Sequence, residues 1–191
     1  KGTDFAANVE AAPACDFSLL PARKACKEAM TQVETPGHRT IEAVTTFLKI
    51  EASSCIKSIL LSVDDQFVMV LIRGDHQLNE CKLLKALGGS QCRLATDQEV
   101  VSELGSVVGF VGPVGRSEDV ALYADHGLDP ESGYVAGANQ KDQHYQNVVL
   151  SRDVGDIQYL DLRNAQSGDP CPVSSDTVYQ EVRGIEVGHI F

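Results

Sequence analysis

The chain has 191 residues, 43% hydrophobic and 23% charged, the composition of a globular protein with one substantial core. No apolar run reaches membrane-spanning length, and the start carries no secretory apolar region. With 16 Lys and Arg against 27 Asp and Glu, the net charge is −11. That argues against a free-standing nucleic-acid binder, because phosphate contacts supply most non-specific affinity; a nucleic-acid end delivered by something else stays open.

The chain opens Lys1-Gly2-Thr3-Asp4 without Met and is expected to be a fragment or a processed form. Helix formers from Arg23 to Val33, with Pro21 near the first turn, predict a helix there. Thr35-Pro36-Gly37-His38 is a turn, and Thr40 caps a helix over Ile41–Lys49 whose apolar face is Ile41, Val44, Phe47 and Leu48. Ser54–Val63 reads as a strand, turned at Asp64-Asp65-Gln66 into a second over Phe67–Ile72. The second is apolar on both faces and therefore central. A helix from about Gln77 to Leu87 stops at Gly88-Gly89. Cys92–Ala95 is a short strand, and Thr96-Asp97-Gln98-Glu99 is a capping box for a helix ending at Leu104 before Gly105. Further strands are expected at Val120–Ala124, Tyr145–Leu150 and Ile157–Leu162, with another extended stretch at Val178–Val182. Hairpins mixed with helices make the sheet something other than a simple parallel one.

Six scattered cysteines (15, 26, 55, 81, 92 and 171) form no CxxC pair. They read as buried thiols in a reducing compartment, not a disulfide frame, and zinc-ligand spacing is absent after Cys171. There is no GxSxG elbow and no phosphate-cradling glycine motif.

Four features could carry chemistry. Lys57 lies on the strand face of Ile59, Leu61 and Val63, so its ammonium either snorkels at the strand end or projects into a cleft. Gly109-Phe110-Val111-Gly112-Pro113 is a rigid loop whose backbone N–H groups could hold an oxyanion, or it is a plain turn. Asp125 and His126 end a strand, where catalytic groups and ordinary turn aspartates both occur. Val135-Ala136-Gly137-Ala138-Asn139, followed by His144-Tyr145, lets the backbone approach something closely beside a titratable ring.

These pieces occur in a recognisable order. Thr35 to Thr40, Cys55-Ile56-Lys57-Ser58, Arg73-Gly74-Asp75-His76-Gln77-Leu78-Asn79-Glu80, Gly109 to Pro113, Ala124-Asp125, Gly137-Ala138-Asn139, His144-Tyr145, Asp161-Leu162-Arg163-Asn164 and Arg183 to Phe191 follow one another. The chain resembles, over nearly its whole length, the insertion domain of bacterial prolyl-tRNA synthetase, which is similar to free-standing YbaK-type deacylases. The resemblance implies an α+β fold with a mixed, curled sheet (a pseudo-barrel) flanked by helices. It implies flanking segments at 1–30 and 166–191 adjoining the synthetase core, around an editing domain at 31–165.

The implied activity is hydrolysis of alanine mischarged onto tRNA(Pro), since a proline pocket cannot strongly reject a smaller residue. The resemblance makes Lys57, Gly109 and Pro113 the catalytic positions and Thr35, Asp125, Gly137 and His144 substrate-binding ones. Editing would need no metal or cofactor; ATP and Mg would serve only the parent core. Its partners would be the aminoacylated 3′ end of tRNA(Pro) and the rest of a cytoplasmic, homodimeric parent, with no membrane. Two other readings stay open: a free-standing deacylase of different specificity, and a non-catalytic insertion that stabilises the core or positions tRNA. Asp125 is followed by His126 where many relatives have Arg, and 127–134 lacks their Met- and Phe-containing run, so the pocket rim is expected to differ.

Overall fold

β-branched Thr31 and Val33 sit where helix formers predominate, and they decide the local structure: residues 31–34 form strand β1 (Thr31–Glu34). The computed structural model describes residues 6–9, 11–14, 25–171 and 174–182. The expected helix over 23–33 is therefore corrected from 25 onward: residues 25–30 are not helical and 31–34 are extended. The reason is tertiary. β1 pairs antiparallel along its whole length with a strand more than 100 residues away, an interaction that local propensity does not register.

Helix α1 (Ile41–Leu48) starts where expected, with the Thr40 hydroxyl accepting from the Ala43 N–H. Such a cap is worth about 1 kcal/mol. Val44 is buried and Ile41 and Leu48 pack with it, but Phe47 is 45% exposed and stacks on His38 at 4.4 Å between centroids. β2 (Ile56–Val63) and β3 (Gln66–Arg73) form a hairpin in full register, turned at Asp64 and Asp65, both left-handed (φ 46° and 65°). Helix α2 (Glu80–Leu87) begins three residues later than predicted, because Asn79 supplies the cap. β4 (Cys92–Leu94) and α3 (Asp97–Leu104) follow, the latter with the Thr96/Glu99 capping box formed and Gly105 closing it at φ 60°.

The chain continues through β5 (Ala121–Asp125), β6 (Gly133–Gly137), β7 (Gln143–Val149), α4 (Leu150–Asp153), β8 (Gln158–Leu160), β9 (Pro170–Cys171) and β10 (Ser174–Val178). β6 is not predicted from sequence, because its strand formers Tyr134 and Val135 are few and bounded by Gly133 and Gly137. β7 begins two residues before the predicted Tyr145 and yields Leu150 to α4. The extended stretch expected at 178–182 ends at Val178.

The result is mixed α+β. A five-stranded sheet has the order β4-β2-β3-β5-β8, with β3 central, as its two-faced apolar pattern requires; a three-stranded sheet has the order β1-β7-β6. The two meet at a parallel bridge between Cys55 and Val135. One face of the large sheet (Ile56, Leu60, Met69, Leu71, Ala124) packs on Tyr134, Ala136, Val148 and Leu150. The other face (Leu61, Val63, Val68, Val70, Ile72) packs on Leu83 of α2 and on Leu162. Cys55 and Cys171 are buried, but Cys81 is exposed and Cys26 and Cys92 half-buried, so the uniform picture of buried thiols is corrected. Cys15 lies outside the described residues, as do the RGIEVGHIF tail and the Pro21 helix start.

Candidate functional site

β4 pairs with Leu61–Val63, and β6 touches this edge through the Cys55–Val135 bridge just ahead of β2, so among the described residues no strand pairs with the stretch of β2 between them. A cleft of about 400 Å³ opens there, within the range of small-ligand pockets. Lys57, Ser58 and Leu60 border it from β2, Leu94 from β4, Ala95 from the link to α3, Val100 from α3, Gly109 and Val111 from the loop, and Val135, Gly137 and His144 from the small sheet.

The far wall is made of backbone lying on backbone. A methyl group on Gly112 would land on the Gly137 carbonyl oxygen, and one on Gly137 would land on the carbonyls of Phe110 and Val111. No residue but glycine fits at either position. Asn139, left-handed at φ 58°, clamps the contact. Its side-chain oxygen accepts from the Gly112 N–H at 2.8 Å, and its amide donates to the carbonyls of Gly112 (3.1 Å) and Val114 (2.9 Å). Its own N–H donates to the Phe110 carbonyl at 2.8 Å. The sequence shows Asn139 only as the end of a run that permits close backbone approach; its clamping role depends on a loop some 25 positions upstream.

This clamp changes what the 109–113 loop can do. The Gly112 N–H is spent on Asn139, and the Phe110 N–H on the Val107 carbonyl. Pro113 has no N–H, is buried, and does not line the cleft. The donors without a partner among the described residues are those of Gly109 and Val111, and both residues border the cleft. Gly109 takes φ 90°, with Arg39 packed against it.

His144 faces the cleft from β7, in register with Gly137 on one side and Val33 on the other. Its Nδ1 lies 2.6 Å from the Thr35 hydroxyl, and both residues are buried. Thr35 stands behind the ring and does not line the cleft; its N–H donates to the Asp142 carbonyl at 2.8 Å. The Phe110 ring meets the imidazole edge-on at 5.7 Å. Burial, helped by nearby His38, pushes the His144 pKa below its ordinary value, so the ring is neutral at physiological pH.

Lys57 settles at the end of its apolar stripe, half-buried, with Nζ donating to the His76 carbonyl at 2.6 Å. This is the only hydrogen bond to that ammonium among the described residues, so two of its N–H groups remain. Asp125 is placed elsewhere. It is 1% exposed, absent from the cleft lining, and its oxygens accept from the N–H groups of Gly127 (2.7 Å) and Leu162 (2.8 Å). The structure therefore brings Lys57, Gly109, Gly137 and His144 to one cleft, sets Thr35 and Pro113 behind its walls, and keeps Asp125 apart from it. Among the described residues no group of three or more His, Cys, Asp or Glu is placed to hold a metal ion, and no helix is long and apolar enough to cross a membrane.

Residues 35–153 match the family model of the aminoacyl-tRNA editing domain. The chain is 42% identical over 190 residues to a proline--tRNA ligase of Bacillus velezensis, covering 100% of this chain and 33% of that protein. It is 43% identical over 189 residues to the proline--tRNA ligase of Bacillus subtilis, covering 99% and 33%. It thus spans about a third of the length of these curated relatives. A crystal structure described as a candidate trans-editing enzyme for prolyl tRNA synthetase superposes with a TM-score of 0.63 at 25% identity, over 71% of this chain and 87% of that one. A hypothetical protein of solved structure shares the fold at a TM-score of 0.62 and 22% identity, over 71% of this chain and 92% of that one.

Proposed function

The chain belongs to the aminoacyl-tRNA editing domain family, and from that premise we propose that it hydrolyses the ester of alanine mischarged onto tRNA(Pro). The observation that carries this reading is the convergence on one cleft of a cation (Lys57), a wall that admits only glycine (Gly137) and a locked neutral imidazole (His144). A small aminoacyl group fits against such a wall. The Lys57 ammonium, with two free N–H groups, binds the terminal adenosine and its ester; in a poorly solvated cleft its charge counts for more than in water. Water attacks the ester carbonyl with help from the neighbouring ribose hydroxyl. The oxygen of that carbonyl takes up negative charge, which the N–H groups of Gly109 and Val111 face. The C–O bond to the ribose then breaks, the ribose oxygen takes the proton lost by water, and alanine and the free tRNA end leave. His144 sets the size of the aminoacyl pocket, Thr35 holds its ring, and Pro113 stiffens the loop.

In this reading residues 31–165 form the editing unit and 1–30 and 166–191 adjoin the rest of a homodimeric, cytoplasmic synthetase. ATP and Mg would belong to that core, and other domains would supply most of the tRNA contacts that a net charge of −11 does not. Tethering then presents the mischarged end at high effective concentration.

The test compares release of alanine from alanyl-tRNA(Pro) with release of proline from prolyl-tRNA(Pro), using the chain and its parent synthetase. The expected result is hydrolysis of the alanyl ester and survival of the prolyl one. Background release of both by both proteins, with tRNA binding shown, would overturn the proposal.

A further inference from the structure

We propose that Asp125 is a positioning residue for Lys57, acting from behind the cleft through Leu162, Arg163 and the segment that carries the His76 carbonyl. The inference rests on the deacylase reading, in which Lys57 meets the substrate. It joins two motifs that this reading leaves without a task, Arg73-Gly74-Asp75-His76-Gln77-Leu78-Asn79-Glu80 and Asp161-Leu162-Arg163-Asn164.

The contacts form an unbroken chain. Asp125 ends β5 and grips the second motif, its Oδ2 accepting from the Leu162 N–H at 2.8 Å and its Oδ1 lying 3.5 Å from Arg163 Nε. Arg163 is fully buried and donates from Nη1 to Asp169 Oδ2 at 2.6 Å. The gripped segment pairs with the first motif. The Asn79 N–H donates to the Leu162 carbonyl at 2.8 Å, Leu78 bridges Arg163 antiparallel, and the Asn164 N–H donates to the Gln77 carbonyl at 3.3 Å. One residue further back is His76, whose carbonyl holds the Lys57 ammonium at 2.6 Å.

The His76 ring locks the same arrangement from the rear. It is 2% exposed, and Gly127 is what lets it share space with Asp125. A methyl on Gly127 would stand 2.8 Å from Asp125 Oδ1 and 3.0 Å from His76 Cε1. Burial first, then the charges of Arg163 and Arg73, drive the ring's pKa down to about 3, so it packs uncharged.

A carbonyl is an apt holder for a working cation. A carboxylate there would neutralise the charge that the substrate has to feel, whereas a carbonyl fixes the ammonium and leaves its charge whole. The carboxylate is instead placed two segments back, against a buried guanidinium. A buried ion pair is no measure of stability by itself; in this proposal the pair fixes geometry, and a catalytic group displaced by about 1 Å can lose on the order of 100-fold in rate.

The experiment follows the Lys57 side chain directly, through its Cε and Nζ NMR resonances, assigned with Lys57→Arg. Two variants perturb the frame differently: Asp125→Asn keeps shape and removes charge, and Gly127→Ala pushes on the ring without altering any charge. Glu99→Gln, which disturbs an exposed ion pair with Arg93, is the control. The proposal expects the Lys57 resonances to move in both frame variants and stay in the control. It also expects kcat for alanyl-tRNA(Pro) to fall roughly 10- to 100-fold, with KM within about twofold. Unmoved Lys57 resonances in a folded Asp125→Asn or Gly127→Ala protein would overturn it. So would a raised KM at unchanged kcat in Asp125→Asn, the mark of a direct substrate contact. If the wild type hydrolyses nothing, the deacylase reading fails by itself, and the resonances still decide whether Asp125 positions Lys57.

Discussion

The cleft beside β2 and the hollow lined by residues 165–167 and 177–182 rank by size opposite to their chemistry: about 400 Å³ against about 670 Å³. The larger hollow is bordered by Ala6, Ala12, Ala165, Val178 and Tyr179, with Glu181 as the charged residue of its described lining. The smaller one has Arg39, Lys57, Asp97 and His144 on its border and a wall that only glycine can form. Convergent polar groups on a rigid frame, more than volume, mark a site for chemistry.

The contrast breaks most easily at Lys57. Lys57→Ala is expected to lower alanyl-tRNA(Pro) hydrolysis on the order of 100- to 1,000-fold, as loss of one charge-stabilising donor does elsewhere. Glu181→Ala in the other hollow is expected to leave it within about twofold. Parallel rate measurements on the two variants check this, and the reverse ranking would move the active centre to the larger hollow.

Next in size is the wall itself. Gly137→Ala drives a methyl into the Phe110 and Val111 carbonyls and should cost about 3 kcal/mol, at the upper end of overpacking, seen as a lowered Tm. Ala165→Ser, in the larger hollow, should barely shift the melt.

That wall also shows how far the sequence could be read. Gly137-Ala138-Asn139 announces a close backbone approach, but what approaches is a loop 25 residues away, and Asn139's contacts there are not local information. Capping signals are local, which is why the Thr96/Glu99 box and the Gly105 stop fall where predicted. β1 was not legible, because pairing with β7 outweighs the helix propensity of its neighbours. Lys57 stands out as a cation in an apolar stripe. Arg163 does not: a fully buried arginine looks like any surface arginine until its two aspartates, at 125 and 169, are brought beside it. The assignment of Asp125 to the substrate pocket came from resemblance; Asp125 is buried and does not border the cleft.

A finer sharpening concerns specificity. His144→Ala enlarges the aminoacyl pocket without touching Lys57. It should cut the preference for alanyl over prolyl ester by about 10-fold, the scale of discrimination available from packing, while the chain stays folded. The ratio of the two hydrolysis rates checks it.

A separate effect, on the frame and not on the reaction, is acid stability. The unfolded chain protonates His76 near its ordinary value of 6.5, while the folded ring resists down to about 3. Stability therefore falls as pH drops below about 6.5. His144, also lowered by burial, adds the same sign, and Asp125, raised by burial, opposes it. Urea midpoints between pH 7 and 4.5 should decline less steeply in His76→Asn than in the wild type.

The central claim, that the smaller cleft receives the aminoacyl end, is tested most directly by amide NMR with a non-hydrolysable 3′-amide analogue of alanyl-adenosine. The account predicts shifts at Gly109, Val111, Gly137 and His144 and none at Ser167, Tyr179 or Glu181. Shifts confined to residues 165–182, with the cleft silent, would contradict it.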